Sequence, residues 1–324
     1  MSKPGHITRA EIFQQPEIWP DTVKRVRAAG IPEVTTPIIT GAGTSAYAAM
    51  AIEGAWPGSR AVASTELLLD PRRFVPEGAT VLSIARSGDS PESKAVVDKI
   101  PWARHVAITC NANGALARHP RVEPILLDPR TNDRSLVMTS SFSNMVLGGA
   151  ALLRGEEVEA ALPHMRLDVD ALDTEAQALA GEPPERFVAL GSYRLFGAAR
   201  EASLKVLEMT AGKIAALPET YLGLRHGPMS FLRADTPVLC FLSSDGALTQ
   251  YENDLLDELR AKKIGRIIPV RTACELPDDL RTPAAIVVAQ LLAFHWSLGL
   301  GLDPDNPSPG GVINRVVQGV RIHG

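Results

Sequence analysis

Cysteine is scarce. Cys110, Cys240 and Cys274 are the three in 324 residues, far apart and with no C-x-x-C pair. That argues against a disulfide scaffold or a thiolate zinc site and suits a reducing, cytoplasmic setting. Long apolar runs are also missing: Ala284 to Phe294 is broken by Gln290 and is too short to cross a bilayer, so no membrane partner is expected. The opening MSKPGHITRAEIF has no apolar stretch of signal-peptide type. No basic stripe is present either. Net charge is −4 and the pI about 6.0, which points away from nucleic acid and makes any anion site local. No two of the seven histidines share a metal-ligand spacing such as H-E-x-x-H, so no metal or cofactor is implied.

What is present is an ordinary globular mix, 45% hydrophobic and 22% charged, in a chain long enough for about two domains of roughly 150 residues. A weak internal repeat supports two halves. Thr36-Pro-Ile-Ile-Thr-Gly-Ala-Gly-Thr-Ser45 reads as a buried strand, a glycine turn and the start of a small-residue helix; Arg186-Phe-Val-Ala-Leu-Gly-Ser-Tyr-Arg-Leu195 follows the same grammar. A further strand–turn–helix unit follows each, at Thr80–Glu92 and at Thr236–Gly246, and third strands are expected at His105–Thr109 and Ile267–Val270. Apolar strands alternating with helices predict an α/β fold with parallel sheets covered on both faces. The expected organisation is a helical arm over residues 1–30 (one helix, Glu11 to Ala29), a first domain over 31–165 and a second over 183–324. Between Pro163 and Pro184 lies a polar boundary with an acidic helix, Asp168–Ala180. Asp303 to Gly310 reads as an extended loop before a short final segment, Val312–Ile322.

Ser87-Gly-Asp-Ser90-Pro91-Glu92 follows an apolar strand and has a strong helix start: hydroxyl at N-cap, proline next, an acid in the first turn. Such a terminus binds phosphate, and Arg86 adds a guanidinium fork; an ordinary capped helix is the plainer alternative. Gly41-Ala-Gly43-Thr44-Ser45-Ala46 formally matches the dinucleotide fingerprint G-x-G-x-x-A, with Glu66 as the ribose acid, yet its hydroxyls fit a sugar phosphate equally well. Glu201, Lys205 and Glu208 share one helix face. That is usually a solvated ladder, but the flanking Leu204, Val206, Leu207 and Met209 make a partly buried Glu208 that suits a general base. His226, beside the Gly227-Pro228 turn, is a candidate for proton exchange. The turn Leu242–Gly246 lacks the Ser-Pro-Glu helix start and is expected to bind no phosphate; Tyr251 to Lys263 is expected to be a solvated helix face.

Together GAGTS (41–45), ARSGDSPES (85–93), LVMTSSF (136–142), LKVLEMTAGKI (204–214), LRHGP (224–228) and NRVVQGV (314–320) resemble tandem sugar-isomerase (SIS) domains across nearly the whole chain. The dialect is most similar to the AgaS branch, galactosamine-6-phosphate deaminases or tagatose-6-phosphate ketose/aldose isomerases. It is also similar to the isomerase half of glucosamine-6-phosphate synthase. The resemblance implies two flavodoxin-like α/β/α sandwiches and a cytoplasmic enzyme without a cofactor. It implies a phosphorylated amino sugar or ketose as substrate, held by Gly43, Thr44, Ser45, Arg86, Ser87 and Ser90, with Thr139 and Ser140 completing the rim. Glu208 matches the base that moves a proton between C1 and C2, Lys205 a lysine assisting it, and His226 a ring-opening residue supplied by the partner of a homodimer with shared active sites. Two departures from the synthase stand out. Ala85 and Arg86 replace a serine and a glutamine, and Gln318 replaces the Schiff-base lysine, with no lysine after Lys263. The implied reaction is therefore aldose–ketose isomerisation with loss of ammonia from a hexosamine 6-phosphate. Plain isomerisation, fructosamine-6-phosphate deglycation and non-catalytic sugar-phosphate sensing are the alternatives.

Overall fold

The runs TVLSIA and RHVAIT become neighbouring parallel strands because helices cover both their faces, which is why they read as continuous rather than alternating apolar segments. A computed structural model describes residues 3–308, 310–317 and 319–323. Its first sheet contains β1 (Ile38–Thr40), β2 (Arg60–Ala61), β3 (Thr80–Ala85), β4 (Arg104–Thr109) and β5 (Val122–Leu126), all parallel, in the order β2-β1-β3-β4-β5. The second contains β6 (Arg186–Gly191), β7 (Ala215–Glu219), β8 (Pro237–Phe241) and β9 (Arg266–Val270), also parallel, in the order β7-β6-β8-β9. The first order is that of a flavodoxin-like sheet, and the second repeats it one strand short. The chain thus has the expected α/β fold.

Two helices, α1 (His6–Phe13) and α2 (Gln15–Ala28), form the arm where one was expected. Pro16 lacks the N–H that would continue the ladder, and its ring crowds the preceding turn. The arm also starts earlier than expected, because Asp305 accepts the backbone N–H groups of Ile7 and Thr8 at 3.2 and 2.7 Å. The first half continues with α3 (Thr44–Ala55), α4 (Ser64–Leu69), α5 (Pro71–Phe74), α6 (Pro91–Lys99) and α7 (Ser140–Ala161). Then come α8 (Val169–Ala180), α9 (Phe196–Met209), α10 (Tyr221–Leu224), α11 (Gly246–Lys262) and α12 (Asp278–Gly299).

Each sheet has an apolar cluster of its own on one face, and the two share a third between them. One apolar cluster joins Ile52 of α3, Leu147 of α7, Val206 of α9 and Leu291 of α12, which form a shared layer between the halves. Gly197 lets α9 come close to α3: a Cβ there would stand 2.7 Å from the backbone nitrogen of Ala51. Helix α12 is long and apolar enough to cross a membrane by length and composition, but 78% of its apolar window is buried inside the protein. Because α3 and α9 lie against each other, each carries groups from one half to the loops of the other.

Candidate active site

The order of the first sheet reverses between β1 and β3, and the loops that leave these two strands open a crevice at their carboxyl ends. A cavity of about 430 Å³ lies there, lined by Gly43, Thr44 and Ser45 after β1 and by Arg86, Ser87 and Ser90 after β3. Gly43 turns the chain into α3 at φ +57, ψ −130, a conformation open in practice to glycine alone. Ser90 caps α6, accepting the N–H of Ser93 at 3.3 Å, with Pro91 next in line. The N-terminal N–H groups of α6 thus face a cavity whose lining also includes Ser93 and Glu92.

Arg86 gives the cavity its charge. It is 5% exposed, donates to the carbonyls of Leu136 (3.4 Å) and Arg315, and leaves Nε without a partner among the described residues. Among the described residues no carboxylate pairs with it, and burial lowers its pKa, since desolvation penalises the charged form. A buried, unpaired guanidinium in a cavity wall is complementary to an anion.

Glu208 comes from the other half. Its side chain is 24% exposed and lines the same cavity, while Lys205 Nζ holds its Oε2 at 2.6 Å from beneath. Lys205 also reaches Glu201 Oε1 at 3.2 Å and Thr44 Oγ1 at 3.0 Å, and Thr44 donates to the same Glu201 oxygen at 3.2 Å. Glu201 and Lys205 are completely buried. Burial pushes the Glu201 carboxyl up to about 8, against the opposing pull of Lys205. Burial by itself would lower Lys205, but the two carboxylates outweigh it and its pKa rises. Lys205 has no surface on the cavity and meets it only through its contacts with Glu208 and Thr44. Thr44 joins the same network and links the first half's loop to the second half's helix.

Thr139 and Ser140 need correction. They do not line the cavity; both are fully buried, and Asp133 caps the start of α7 by accepting the N–H groups of Thr139 (2.9 Å), Ser140 (3.1 Å) and Ser141 (2.9 Å). A capping carboxylate already occupies the place where they would have held an anion. The rim belongs instead to Leu136, Met138 and the strap 312–317, which Arg315 fastens to the Asp133 carbonyl (2.9 Å) and to Asn132 Oδ1 (2.9 Å). Gln318 lies outside the described residues, next to that strap. His226 is exposed, on the turn after α10, and is not part of the cavity wall of its own chain. Glu66, which a dinucleotide would need, is exposed on α4 and also absent from the wall.

In the second half, the turn after β8 is closed by carboxylates. Asp278 accepts the N–H of Ser244 at 2.7 Å and both serine hydroxyls, and Glu252 accepts the N–H of Ser243 at 2.8 Å. Two internal carboxylates stand where a phosphate would otherwise meet these donors.

The fold and this cavity, built by one half's turns and the other half's glutamate, define a double-SIS-domain protein. No family model matches the sequence. The chain is 34% identical to a D-galactosamine-6-phosphate deaminase AgaS of Shewanella sp. strain ANA-3 over 363 residues, covering 98% of this chain and 91% of that one. It superposes on the crystal structure of tagatose-6-phosphate ketose/aldose isomerase from Escherichia coli with a TM-score of 0.85 and 31% identity, covering both chains fully. A glucosamine-6-phosphate deaminase from Thermotoga maritima shares the fold, with a TM-score of 0.80 at 21% identity. The chain belongs to the AgaS family of sugar-isomerase-domain enzymes.

Proposed function

We propose that this enzyme deaminates a hexosamine 6-phosphate, with galactosamine 6-phosphate as substrate, to tagatose 6-phosphate and ammonia. One observation carries the reading: the Glu208 carboxylate opens onto the same cavity as the hydroxyl-lined turns and the unpaired Arg86 guanidinium. The 6-phosphate fits the Ser45, Ser87 and Ser90 turns and Arg86, and the other end of the sugar then faces Glu208. In the open-chain aldehyde, Glu208 takes the C2 proton and the electron pair forms an enolamine. Return of the proton to C1 gives a ketose imine. Water adds at C2, the C2–N bond breaks, and ammonia leaves with the ketose phosphate. The substrate brings its own nitrogen, so no protein imine is needed, which agrees with the lack of any lysine after Lys263. Ring opening is assigned to His226 of a second copy in a homodimer, because His226 does not reach its own chain's cavity.

The relative from Shewanella supports the galacto sugar, while the Escherichia coli neighbour favours isomerisation without ammonia loss. Ammonia release from galactosamine 6-phosphate and glucosamine 6-phosphate, measured side by side, separates the readings. Release from the galacto sugar in preference to the gluco sugar is expected. No ammonia from either, with interconversion of tagatose 6-phosphate and its aldose, would replace deamination by plain isomerisation.

A further inference from the structure

The two halves can be placed in register through their glycine turns. A Cβ on Gly41 would strike the Ser45 backbone at 2.6 Å, and a Cβ on Gly191 would strike the Leu195 carbonyl at 2.4 Å, each four residues on. In that register Arg194 corresponds to Thr44, and Ala55 and Ala51 correspond to Lys205 and Glu201, while Gly58, which falls opposite Glu208 by count alone, lies past the end of α3. A second cavity, of about 670 Å³, lies beside the second half's first turn. Tyr193 and Arg194 after β6 line it, with Ala55 and Gly58 from the end of α3 and beyond. The second cavity shares only the first turn's side of that arrangement and has no counterpart of the Glu208–Lys205 pair.

Its wall is nonetheless polar and unsatisfied. Asp279 is 6% exposed, pairs through Oδ2 with Arg154, and leaves Oδ1 buried without a partner among the described residues. Arg194 Nη1 stands 3.9 Å from the same carboxylate, and its Nε is likewise buried and unpartnered. Such groups are costly unless something completes them. Helix α7 breaks at Arg154 (φ −134, ψ 52), one of the lining residues. Tyr193 is held at φ +49 with its ring 68% exposed at the mouth, a backbone conformation an aromatic residue adopts only under constraint.

The Asp279 carboxylate and the Arg194 guanidinium in this wall suit sugar hydroxyls, which donate and accept at once, and Tyr193, with Arg194 5.4 Å from its ring centre, adds an aromatic surface. The turn after β8 contributes nothing to this cavity, so it has no counterpart of the hydroxyl-lined turn that holds a phosphate in the first half. Glu53, Glu157 and Asp279 against Arg154 and Arg194 leave a surplus of negative charge, which favours an ammonium group. We propose that this second cavity binds an unphosphorylated amino sugar of hexose size, independently of the active site.

The test is calorimetric titration of the full chain with free galactosamine and, separately, galactose. It uses the Glu208→Gln variant with and without saturating galactosamine 6-phosphate. Saturable binding of galactosamine, weaker binding of galactose and no competition from the phosphosugar are expected. Arg194→Ala should weaken galactosamine by about tenfold or more, from loss of one charge-assisted hydrogen bond. Tyr193→Gly, which relieves the positive φ and so spares the fold, should weaken it too. No saturable binding would overturn the proposal. So would binding that galactosamine 6-phosphate displaces and neither variant affects. Because binding is read without turnover, failure here is distinct from failure of the deaminase reading.

Discussion

Replacing Arg86 by alanine should harm binding and spare the fold. The guanidinium is nearly fully buried, its contacts are two carbonyls, and its Nε is unsatisfied, so the apo protein carries the desolvation cost of an unpaired charge. Truncation removes that cost along with two modest hydrogen bonds, and the melting temperature should stay level or rise. With a phosphosugar bound, the same group gains an anion. Hydrogen bonds to charged partners contribute about 1.5 to 3 kcal/mol, so the variant should bind about 10- to 150-fold more weakly. The phosphate stays put while C1 and C2 react, so the loss should appear mainly in KM, with kcat changed much less. Steady-state kinetics and a thermal melt on the same preparation test both halves. A large fall in melting temperature with an unchanged KM would refute the reasoning and make Arg86 a structural residue.

Glu201, Glu252 and Glu11 are each raised from 4.5, to about 8, 7 and 7, chiefly by burial. Each holds its proton more tightly folded than unfolded. Their contribution to stability is therefore complete below about pH 4.5 and lost as pH rises to about 8, at no more than about 1.4 kcal/mol per pH unit per group. Melting curves from pH 5 to 8.5 should show this decline, and Glu201→Gln should flatten it; a flat wild-type profile would contradict the assignment. Asp133→Ala strips the cap from three buried N–H groups at the start of α7 and should cost about 3 kcal/mol in chemical denaturation, with Asp133→Asn milder. Mixing inactive Glu208→Gln and His226→Ala chains should restore about a quarter of wild-type activity, because half the dimers then hold one complete site. No recovery after confirmed subunit exchange would place His226 outside the partner's site.

The sequence read well where local physics decides. Buried central strands announce themselves as unbroken apolar runs, and β4 begins only one residue before the expected His105; the edge strand β9 likewise begins one residue before Ile267. Ser90-Pro91-Glu92 is a helix start in any context, and it caps α6 as expected. Asp168 likewise caps α8 through the Ala171 N–H. The edge strands β5 and β7 were not expected: both are partly exposed and carry a proline, and neither has the run of adjacent isoleucines that marks β9. The arm's early start depends on Asp305, nearly the whole chain away, which no window can connect to Thr8. Thr139 and Ser140 looked like anion ligands because a hydroxyl-rich helix start reads the same whether phosphate or a protein carboxylate fills it. The only sign was Asp133 upstream, and an Asp seven residues before a helix is too common to be diagnostic. The fastening of the strap by Arg315 is a tertiary fact with no local signature.

The central claim is that Glu208 performs proton transfer on a sugar phosphate bound by the first half's turns. Turnover and equilibrium binding of galactosamine 6-phosphate, measured on wild type and Glu208→Gln, test it most directly. In Glu208→Gln ammonia release should fall by about 10³-fold or more while the dissociation constant changes less than about threefold. Equal loss of binding and turnover would show that Glu208 holds the ligand or the fold. Unchanged turnover would remove it from the chemistry altogether.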